Sequence, residues 1–339
     1  MTAAGPSARP SGAAVLASAD PALAAAISSG LAAVESRLNE VVGSAHPLLD
    51  EAARHLVAAG GKRVRPMLTL LASHLGDPAT PAVVDAAVVV ELTHLATLYH
   101  DDVMDEANVR RGAPSANTRW TNTVAILTGD YLFARASDLT AGLGTEVTHI
   151  QSRTFARLVE GQIAETAGPL DGADPVAHHL QVLADKTGSL IATSARLGAM
   201  LAGAPARDVE TVARFGELYG LAFQLSDDLI DIASEAADSG KTPGTDLREG
   251  IKTLPVLLVL AGTDADSVRL RELLAGDLAD DGRLAEALQL LRGHPAMDAA
   301  RDRLTAYTDE ARTVAAELPE GPCRAALIAL TDYVLARTG

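Results

Sequence analysis

Apolar residues recur along most of the chain at spacings of three and four positions, which is the period of an α-helix. Good helix formers, chiefly Ala, Leu, Glu and Arg, fill stretches such as LLDEAARHLVAAG and PAVVDAAVVVELTHLATLYHDD. Alternation of apolar and polar positions over strand lengths is rare. The pattern therefore predicts an all-α protein.

Glycine and proline divide this pattern into separate helices. Helical patterning begins near Pro21, breaks at residues 60–61, and breaks again at residues 76–78. A long helix that begins near Pro81 is predicted to end at the first of two aspartate clusters. Further helices are predicted around 123–139, which we expect to be buried, and around 148–167, 174–203, 207–236 and from Pro255 onward. Residues 1–20 are predicted to be a disordered tail, and residues 21–339 a single helical domain.

Composition limits the classes of function. With 48% hydrophobic residues the 339-residue chain can bury a large core, although only 3% of its residues are aromatic. The formal net charge of −16 argues against binding to nucleic acid or loose attraction to anionic membranes. We expect no apolar run to span a bilayer, and the opening residues make no confident secretory signal. A single cysteine, Cys323, excludes an intrachain disulfide and favours a reducing cytoplasm.

Two copies of the pattern Asp-Asp-x-x-Asp occur in otherwise apolar surroundings. Their members are Asp101, Asp102, Asp105, Asp227, Asp228 and Asp231. Residues four apart share a helix face, so each copy points two carboxylates the same way, and these repel each other unless cations bind. A solvated acidic face is the alternative, but polar residues rather than leucines would then flank it. Oxygen-only ligation favours Mg²⁺, whose coordination substrate phosphates usually complete, and this predicts a phosphorylated ligand between the two clusters.

Basic residues fall in short groups near these clusters. The segment GGKRVRP, residues 60–66, carries three cations beside two glycines. That composition suits phosphate binding, because glycine admits close approach and Lys and Arg donate to phosphate, but a basic helix start explains it equally well. Arg110 and Arg111 follow the first aspartate cluster and favour the phosphate-binding interpretation.

A second basic stretch follows the second aspartate cluster. Residues 233–255 are rich in Gly, Pro and small polar residues, and they include Lys241, Arg248 and Lys252. We interpret this segment as a lid over an anionic ligand. The pair Lys186-Thr187 is a weak signal when taken alone, and so is Gln224.

Together these motifs resemble those of trans-isoprenyl diphosphate synthases, also called polyprenyl synthetases. GGKRVRP, DDVMDEANVRRG, the KT of DKTGSL, GLAFQLSDDLID and the GK of SGKTPGTD stand in that family's order and at about its spacing, between residues 45 and 260. The resemblance implies a single large helical bundle around a deep, central apolar cavity, and a homodimer. It also implies that isopentenyl diphosphate and an allylic diphosphate primer are the substrates, and that Mg²⁺ is the cofactor, three ions being held once diphosphate is bound.

The resemblance also assigns roles to individual residues. The principal Mg²⁺ ligands would be Asp101, Asp105 and Asp227, with Asp102, Asp228 and Asp231 as further ligands or their supports. The diphosphate of isopentenyl diphosphate would be bound by Lys62, Arg65, His94 and Arg111. The allylic diphosphate would contact Arg110, Lys186, Gln224, Lys241 and Lys252, and Thr187 would lie near the carbon whose bond breaks. One departure is Gly188, where the family more often has alanine, and it puts only the local helix geometry in doubt.

The residues before the first aspartate cluster bear on the length of the product. Ala96 and Thr97, five and four positions before Asp101, are expected to line the floor of the cleft, and both are small. Since each helical turn adds about 5.4 Å, this predicts a long product of roughly six to ten isoprene units, suited to a quinone side chain. A change of Ala96 to Phe is expected to shorten it.

Three other functions remain open at this point. A short-chain farnesyl or geranylgeranyl diphosphate synthase would use the same chemistry. A class I terpene cyclase is less consistent with the sequence, because it needs no second-substrate site like GGKRVRP and because aromatic rings, which stabilise carbocations, are scarce. A non-catalytic partner subunit would be expected to have lost some of the aspartates or arginines, which are intact here.

Overall fold

The computed structural model describes residues 12–233 and 243–338, and it confirms the all-α class. The first helices are α1 (Gly12–Ala19), α2 (Pro21–Val41), α3 (Pro47–Ala58), α4 (Val64–Ser73), α5 (Pro81–Met104), α6 (Ala116–Arg119) and α7 (Asn122–Leu143). They are followed by α8 (Thr145–Ala167), α9 (Pro175–Leu183), a π-helical turn (Ala184–Gly188), α10 (Ser189–Leu201) and α11 (Ala206–Ala233). The last are α12 (Thr245–Arg248), α13 (Leu254–Ala261), α14 (Ala265–Leu274), α15 (Asp281–Gly293), α16 (Pro295–Ala315) and α17 (Pro322–Ala336).

The segment after α5, predicted to be a loop, contains a short hairpin as well as α6. In it β1 (Val109–Arg110) pairs antiparallel with β2 (Ala113–Pro114). Arg111 and Gly112 form the turn with positive φ angles of 54° and 76°. This turn carries the two arginines back toward the end of α5.

The central helix of the bundle is α5, which packs against α4, α7 and α10. It ends at Met104, as predicted, so that the first aspartate cluster occupies its last turn. We expected no segment to be long and apolar enough to span a bilayer. That expectation was wrong, because α5 has the length and the apolar composition of a spanning helix. However, 67% of its most apolar stretch is buried inside the fold. Such burial is typical of the core helix of a folded domain.

The helical body begins earlier than predicted. Residues 12–19, assigned from the sequence to a disordered tail, form α1, which packs against α17. Leu16 is only 1% exposed there, and burial of apolar surface stabilises a helix too short to persist alone. The predicted tail is therefore corrected over these residues, and residues 1–11 lie outside the described part.

The helix predicted over residues 123–139 is present as α7, but it is only half buried. One side packs against α5, whereas Ile126 and Leu127 are 43% and 58% exposed. The apolar content of this segment suggested full burial, and the structure shows instead an apolar outer surface. Beneath the main core, α5, α8 and α10 contribute a second apolar cluster, formed by Ala86, Val90, Val147, Leu158, Leu190 and Leu197.

Candidate active site

Helices α4, α5, α8, α10 and α11 contribute to the wall of a cavity of about 480 Å³, a volume typical of small-molecule sites. Of the residues singled out in the sequence, those that line it are Lys62, Arg65, His94, Thr97, Asp101, Arg111, Lys186, Thr187, Gln224 and Asp227. The structure thus brings together one carboxylate from each aspartate cluster and basic groups that lie far apart along the chain.

Asp101 and Asp227 are the two aspartates at the cavity wall, and they come from the last turn of α5 and from α11. Burial raises the pKa of Asp101 to about 6, an effect that Lys186 opposes and Asp105 increases. Asp227 accepts a hydrogen bond from Arg337. A carboxylate that is costly to ionise in isolation gains most from a bound cation.

The middle aspartates, Asp102 and Asp228, are buried and do not line the cavity. Asp102 accepts a hydrogen bond from Nε of Arg110 at 2.6 Å, which explains why Arg110 also lies off the cavity wall. Asp228 accepts one from Nε2 of Gln224 at 3.2 Å. Oδ2 of Asp102 is buried without a hydrogen-bond partner, which is costly in an apolar interior, whereas Oδ2 of Asp228 lies 3.6 Å from Nε2 of His179.

The chemistry of these donors fits Mg²⁺. Among residues 12–233 and 243–338, no three carboxylate or histidine side chains lie close enough together to hold a metal ion by themselves. Mg²⁺, however, keeps several waters and takes further oxygens from substrate phosphates, so one or two carboxylates are sufficient. The cavity carboxylates of Asp101 and Asp227 therefore suit Mg²⁺ bound jointly with a diphosphate.

The last aspartate of each cluster behaves differently. Asp105 is exposed at the end of α5, and its backbone N–H donates to the Asp101 carbonyl. Asp231 accepts hydrogen bonds from the backbone N–H groups of Thr245 and Asp246, at 3.3 and 3.1 Å, and so caps α12. It therefore ties α11 to the chain that follows the predicted lid.

Two lysines of the predicted lid remain to be located. Lys252 is exposed and does not line the cavity. Lys241 lies outside the described residues.

A basic corner of the cavity forms around one buried carboxylate, Glu91 of α5. Arg63 donates to Glu91 Oε1 at 2.6 Å, and Nη2 of Arg111 lies 3.8 Å from the same oxygen. Gly61 has a φ angle of 149°, which favours glycine, and the guanidinium carbon of Arg111 would lie only 2.9 Å from a Cβ at this position. With Arg65 nearby, arginines outnumber the carboxylates that they contact, and the corner suits an anion.

Arg63 and Arg65 belong to one motif but have different environments. Arg63 donates to Glu35 at 2.5 Å as well as to Glu91, and its charge is already compensated within the protein. Arg65 is partly buried, its Nε is enclosed without a hydrogen-bond partner, and the residue lines the cavity. Burial lowers the pKa of Arg65 to about 10. The charge of Arg111 lowers this pKa further, and the charge of Glu91 raises it. Arg65 is therefore the better placed of the two to bind a diphosphate.

His94 lies in the same basic corner. Burial holds the pKa of His94 well below its usual range, and the charges of Arg65 and Arg111 lower it further. The imidazole is accordingly neutral, and it offers one N–H donor to a ligand without adding charge.

Lys186 and Thr187 lie in the π-helical turn, a feature frequent at functional sites. Nζ of Lys186 is 2.6 Å from Glu165 Oε2. The Thr187 hydroxyl donates to Gln224 Oε1 at 3.4 Å, and Gln224 in turn donates to Asp228. This chain of hydrogen bonds connects the turn to the second aspartate cluster. Gly188, the departure from the family pattern, ends the turn.

Only one of the two residues expected at the floor of the cleft lines the cavity. Thr97 does so, whereas Ala96 is fully buried and does not. A Cβ at Gly129 of α7 would lie 3.1 Å from the Ala96 carbonyl oxygen, which shows that this side of α5 packs against α7. The expected position of Ala96 is thus corrected.

Sequence reasoning missed Arg337, which follows α17. Its guanidinium carbon lies 4.7 Å from the centroid of the Phe223 ring and 5.8 Å from that of Tyr333, and the group donates to Asp227. Arg337 thereby adds a cation beside the second aspartate cluster. Nothing in the C-terminal sequence marks it, because the contact joins residues 110 positions apart.

An aromatic pair in the cavity wall was also missed. Phe133 of α7 and Phe155 of α8 have ring centroids 4.1 Å apart, and both line the cavity. Apolar residues in helical patterns are ordinarily core, so the sequence gives no signal that distinguishes these two. They make the deeper part of the cavity apolar.

The fold and the site define a helical transferase of isoprenyl diphosphates. Residues 46–291 match the sequence model of one protein family, which is described as polyprenyl synthetase. The chain belongs to the polyprenyl synthetase family and is a prenyltransferase.

Relatives agree with this assignment along nearly their whole length. The nonaprenyl diphosphate synthase of Mycobacterium tuberculosis is 50% identical over 321 residues, covering 94% of this chain and 96% of the relative. The dimethylallyltranstransferase of the same organism is 43% identical over 317 residues, with coverage of 93% and 96%. A crystal structure of geranylgeranyl pyrophosphate synthase from Corynebacterium glutamicum, complexed with calcium and isoprenyl diphosphate, superposes with a TM-score of 0.86 at 45% identity, covering 94% and 98% of the chains.

Proposed function

We propose that the protein condenses isopentenyl diphosphate head-to-tail onto an allylic diphosphate, in a Mg²⁺-dependent reaction that yields a long all-trans polyprenyl diphosphate. The observation that supports this best is the placement of Asp101, Asp227 and two separate basic groups on one cavity with an apolar interior. Two basic groups suit two diphosphates, which a condensation requires. The relative of known structure that was crystallised with calcium and isoprenyl diphosphate supports a divalent cation at this site.

In this proposal the two substrates bind on different sides of the cavity. Lys62, Arg65, His94 and Arg111 bind the diphosphate of isopentenyl diphosphate. Lys186 and Gln224 contact the allylic diphosphate, and Thr187 lies near its reacting carbon. Asp101, Asp105 and Asp227 would be the principal ligands of three Mg²⁺ ions bound with the allylic diphosphate, and Asp102, Asp228 and Asp231 would be further ligands or their supports. Lys241, Lys252 and Arg110 complete the contacts when substrate is bound.

The chemistry follows from where charge develops. Cleavage of the allylic C–O bond sends the bonding electrons to the diphosphate and leaves a delocalised carbocation. Lys186 stabilises the growing negative charge, while the apolar wall around Phe133 and Phe155 keeps water from the cation. When bound, Mg²⁺ supplies Lewis-acid stabilisation of the leaving diphosphate. The double bond of isopentenyl diphosphate then forms the new C–C bond, and the departing diphosphate takes up the proton whose loss leaves an allylic diphosphate longer by one isoprene unit.

A long product, about C30–C50 and suited to a quinone side chain, is supported by the relative named for a nonaprenyl product and by the wall of α5. Below Thr97, at spacings of three and four, the same helix face presents Thr93, Val90 and Ala86, all of them small. The first obstacle at this level is a hydrogen bond of 2.5 Å from Gln151 Nε2 to Thr93 Oγ1. A tail that grows farther must separate this pair and enter the second apolar cluster.

A change of Thr97 to Phe is expected to shorten the product distribution by several isoprene units, because a ring at the cavity wall blocks this route. Products would be sized by reversed-phase chromatography after removal of the diphosphate. The matched variant is Ala96→Phe, which places the same ring on the side of α5 that packs against α7. Shortening by Ala96→Phe alone would mean that the tail follows α7 and that Thr97 does not face it.

One incubation tests the proposed function. Purified protein with Mg²⁺, isopentenyl diphosphate and farnesyl diphosphate should give polyprenyl diphosphates of about C30–C50 and inorganic pyrophosphate. Products that stop at C20 would establish the short-chain synthase instead. Consumption of farnesyl diphosphate without isopentenyl diphosphate, with release of a hydrocarbon, would establish a terpene cyclase, and no turnover would favour a non-catalytic subunit.

We further propose that the protein is a cytoplasmic homodimer. Exposed apolar residues on α7 and α8, namely Ile126, Leu127, Val159 and Ile163, support a second copy packed on these helices. Val159 also lines the cavity, so a partner there would close the wall. Light scattering should give twice the chain mass for the wild type, and Leu127→Glu should shift it toward the monomer. Val268→Glu, on α14, is the control, and a monomeric wild type would contradict the proposal.

A further inference from the structure

The π-helical turn presents different residues on two sides. Lys186 and Thr187 line the cavity, whereas Asp185, the residue just before them, does not. Both carboxylate oxygens of Asp185 are engaged away from the cavity, by Nε of Arg157 at 2.5 Å and by Nε2 of Gln181 at 2.8 Å. The turn is therefore held in part by groups that do not line the cavity.

Arg157 of α8 connects three elements of the fold. Its Nε donates to Asp185 of the turn, and its Nη2 donates to Oε1 of Glu217 on α11 at 2.5 Å. Burial lowers the pKa of Arg157, but the hydrogen bonds to Glu217 and Asp185 outweigh it, so the pKa is raised overall. A planar guanidinium can bridge two carboxylates in this way, whereas an ammonium group cannot do so with fixed geometry.

The backbone of the turn lies in close contact with both neighbouring helices. A Cβ at Gly161 of α8 would lie 2.9 Å from Asp185 Cβ, and a Cβ at Gly220 of α11 would lie 2.8 Å from Gly188 Cα. The glycines thus allow α8 and α11 to approach the turn from two sides. Since Gln224 and Asp227 lie on the same helix as Glu217, the bridge also fixes the turn relative to the second aspartate cluster.

We propose that Arg157 is a positioning residue that holds Lys186 and Thr187 in register with Gln224 and Asp227 for ionisation of the allylic diphosphate. Arg157 lines a second cavity, of about 490 Å³, on the other side of the turn, and it does not line the first. It acts through Asp185 and Glu217. The inference rests on the proposed function, because that function assigns the turn to the allylic substrate.

The test is the kinetics of Arg157→Met in the full-length protein. We expect kcat to fall by about 10-fold to 100-fold, the scale of a misplaced reacting geometry, and KM for the allylic diphosphate to rise. KM for isopentenyl diphosphate should stay at the wild-type value, because Lys62 and Arg65 are untouched. Guanidinium at low millimolar concentration should restore part of the activity of Arg157→Ala, whereas methylammonium should not.

The matched control is Arg196→Met. Arg196 lines the same second cavity and pairs with Glu210, but it has no contact with Asp185. Wild-type kinetics in this control, together with the loss in Arg157→Met, would support the proposal. Equal losses in both variants, or wild-type kinetics in both, would overturn it.

If Arg157→Met does not fold, Asp185→Asn keeps the volume of the side chain and removes the charge, and it should show the same split between the two KM values. If Asp185→Asn changes neither KM value, or changes both equally, the proposal is overturned as well. An inactive wild-type protein would instead contradict the proposed function, so the two failures are distinguishable.

Discussion

Replacing Asp101 or Asp227 by Asn should reduce turnover on the order of 100-fold to 1000-fold, because each change removes a carboxylate that would hold the Mg²⁺ that neutralises the leaving diphosphate. Initial rates with labelled isopentenyl diphosphate measure the loss. Circular dichroism should show an unchanged helical fold, and Asp298→Asn, at an exposed carboxylate, should keep wild-type turnover. Turnover close to wild type in either active-site variant would contradict the assignment of these residues.

The same Asp101 variant makes a second, independent prediction about stability. The folded-state pKa of Asp101 is raised to about 6, so without metal the folded protein is penalised when this carboxyl ionises as the pH rises through that value. Asp101→Asn removes the penalty. Its melting temperature without Mg²⁺ should therefore match or exceed that of the wild type at pH 8, and the advantage should shrink below pH 6. A lower melting temperature at pH 8 would mean that the carboxylate is stabilised by its neighbours.

Replacing Arg65 by Met should raise KM for isopentenyl diphosphate by about 10-fold to 100-fold, the scale of one lost hydrogen bond to a charged group. The reason is that Arg65 lines the cavity beside Arg111 and that its Nε has no hydrogen-bond partner within the protein. KM for the allylic diphosphate should change much less. Steady-state kinetics with each substrate varied in turn would measure both values.

Arg63, two positions before Arg65, provides the comparison variant. Arg63→Met should lower the melting temperature, because it leaves Glu91 buried and less compensated. If Arg63→Met raised KM for isopentenyl diphosphate as much as Arg65→Met does, the two arginines would share one role. The distinction drawn from their contacts would then be wrong.

The sequence predicted the aspartate helices and the cavity they share, because carboxylates four apart in apolar surroundings have few stable arrangements. It could not predict which aspartate of each cluster faces the cavity. Neighbouring residues on a helix point about 100° apart, so Asp101 reaches the cavity while Asp102 turns to Arg110. The same rotation separates Thr97 from Ala96. The rotation of a helix is fixed by tertiary packing, in this case of α5 against α7, and not by its own periodicity.

Contacts between segments that are distant along the chain could not be predicted for a different reason. Arg157, Glu217 and Arg337 lie in patterns that resemble ordinary solvated helix faces. Only the folded chain shows that Arg157 bridges Asp185 and Glu217 and that Arg337 donates to Asp227. The two lysines of the predicted lid are the opposite case, because the sequence pointed to them. Lys241 and Lys252 were predicted from a motif, but the described structure contains only Lys252, away from the cavity.

The packing of α1 against α17 affects how the protein should be handled in the laboratory. A shortened version that starts at Pro21, the natural choice from hydropathy alone, would delete α1 and strip its cover from α17. The far end of α17 leads into Arg337, which contacts Asp227. Loss of these twenty residues, which look dispensable, would therefore loosen a support of the catalytic pocket at the opposite terminus.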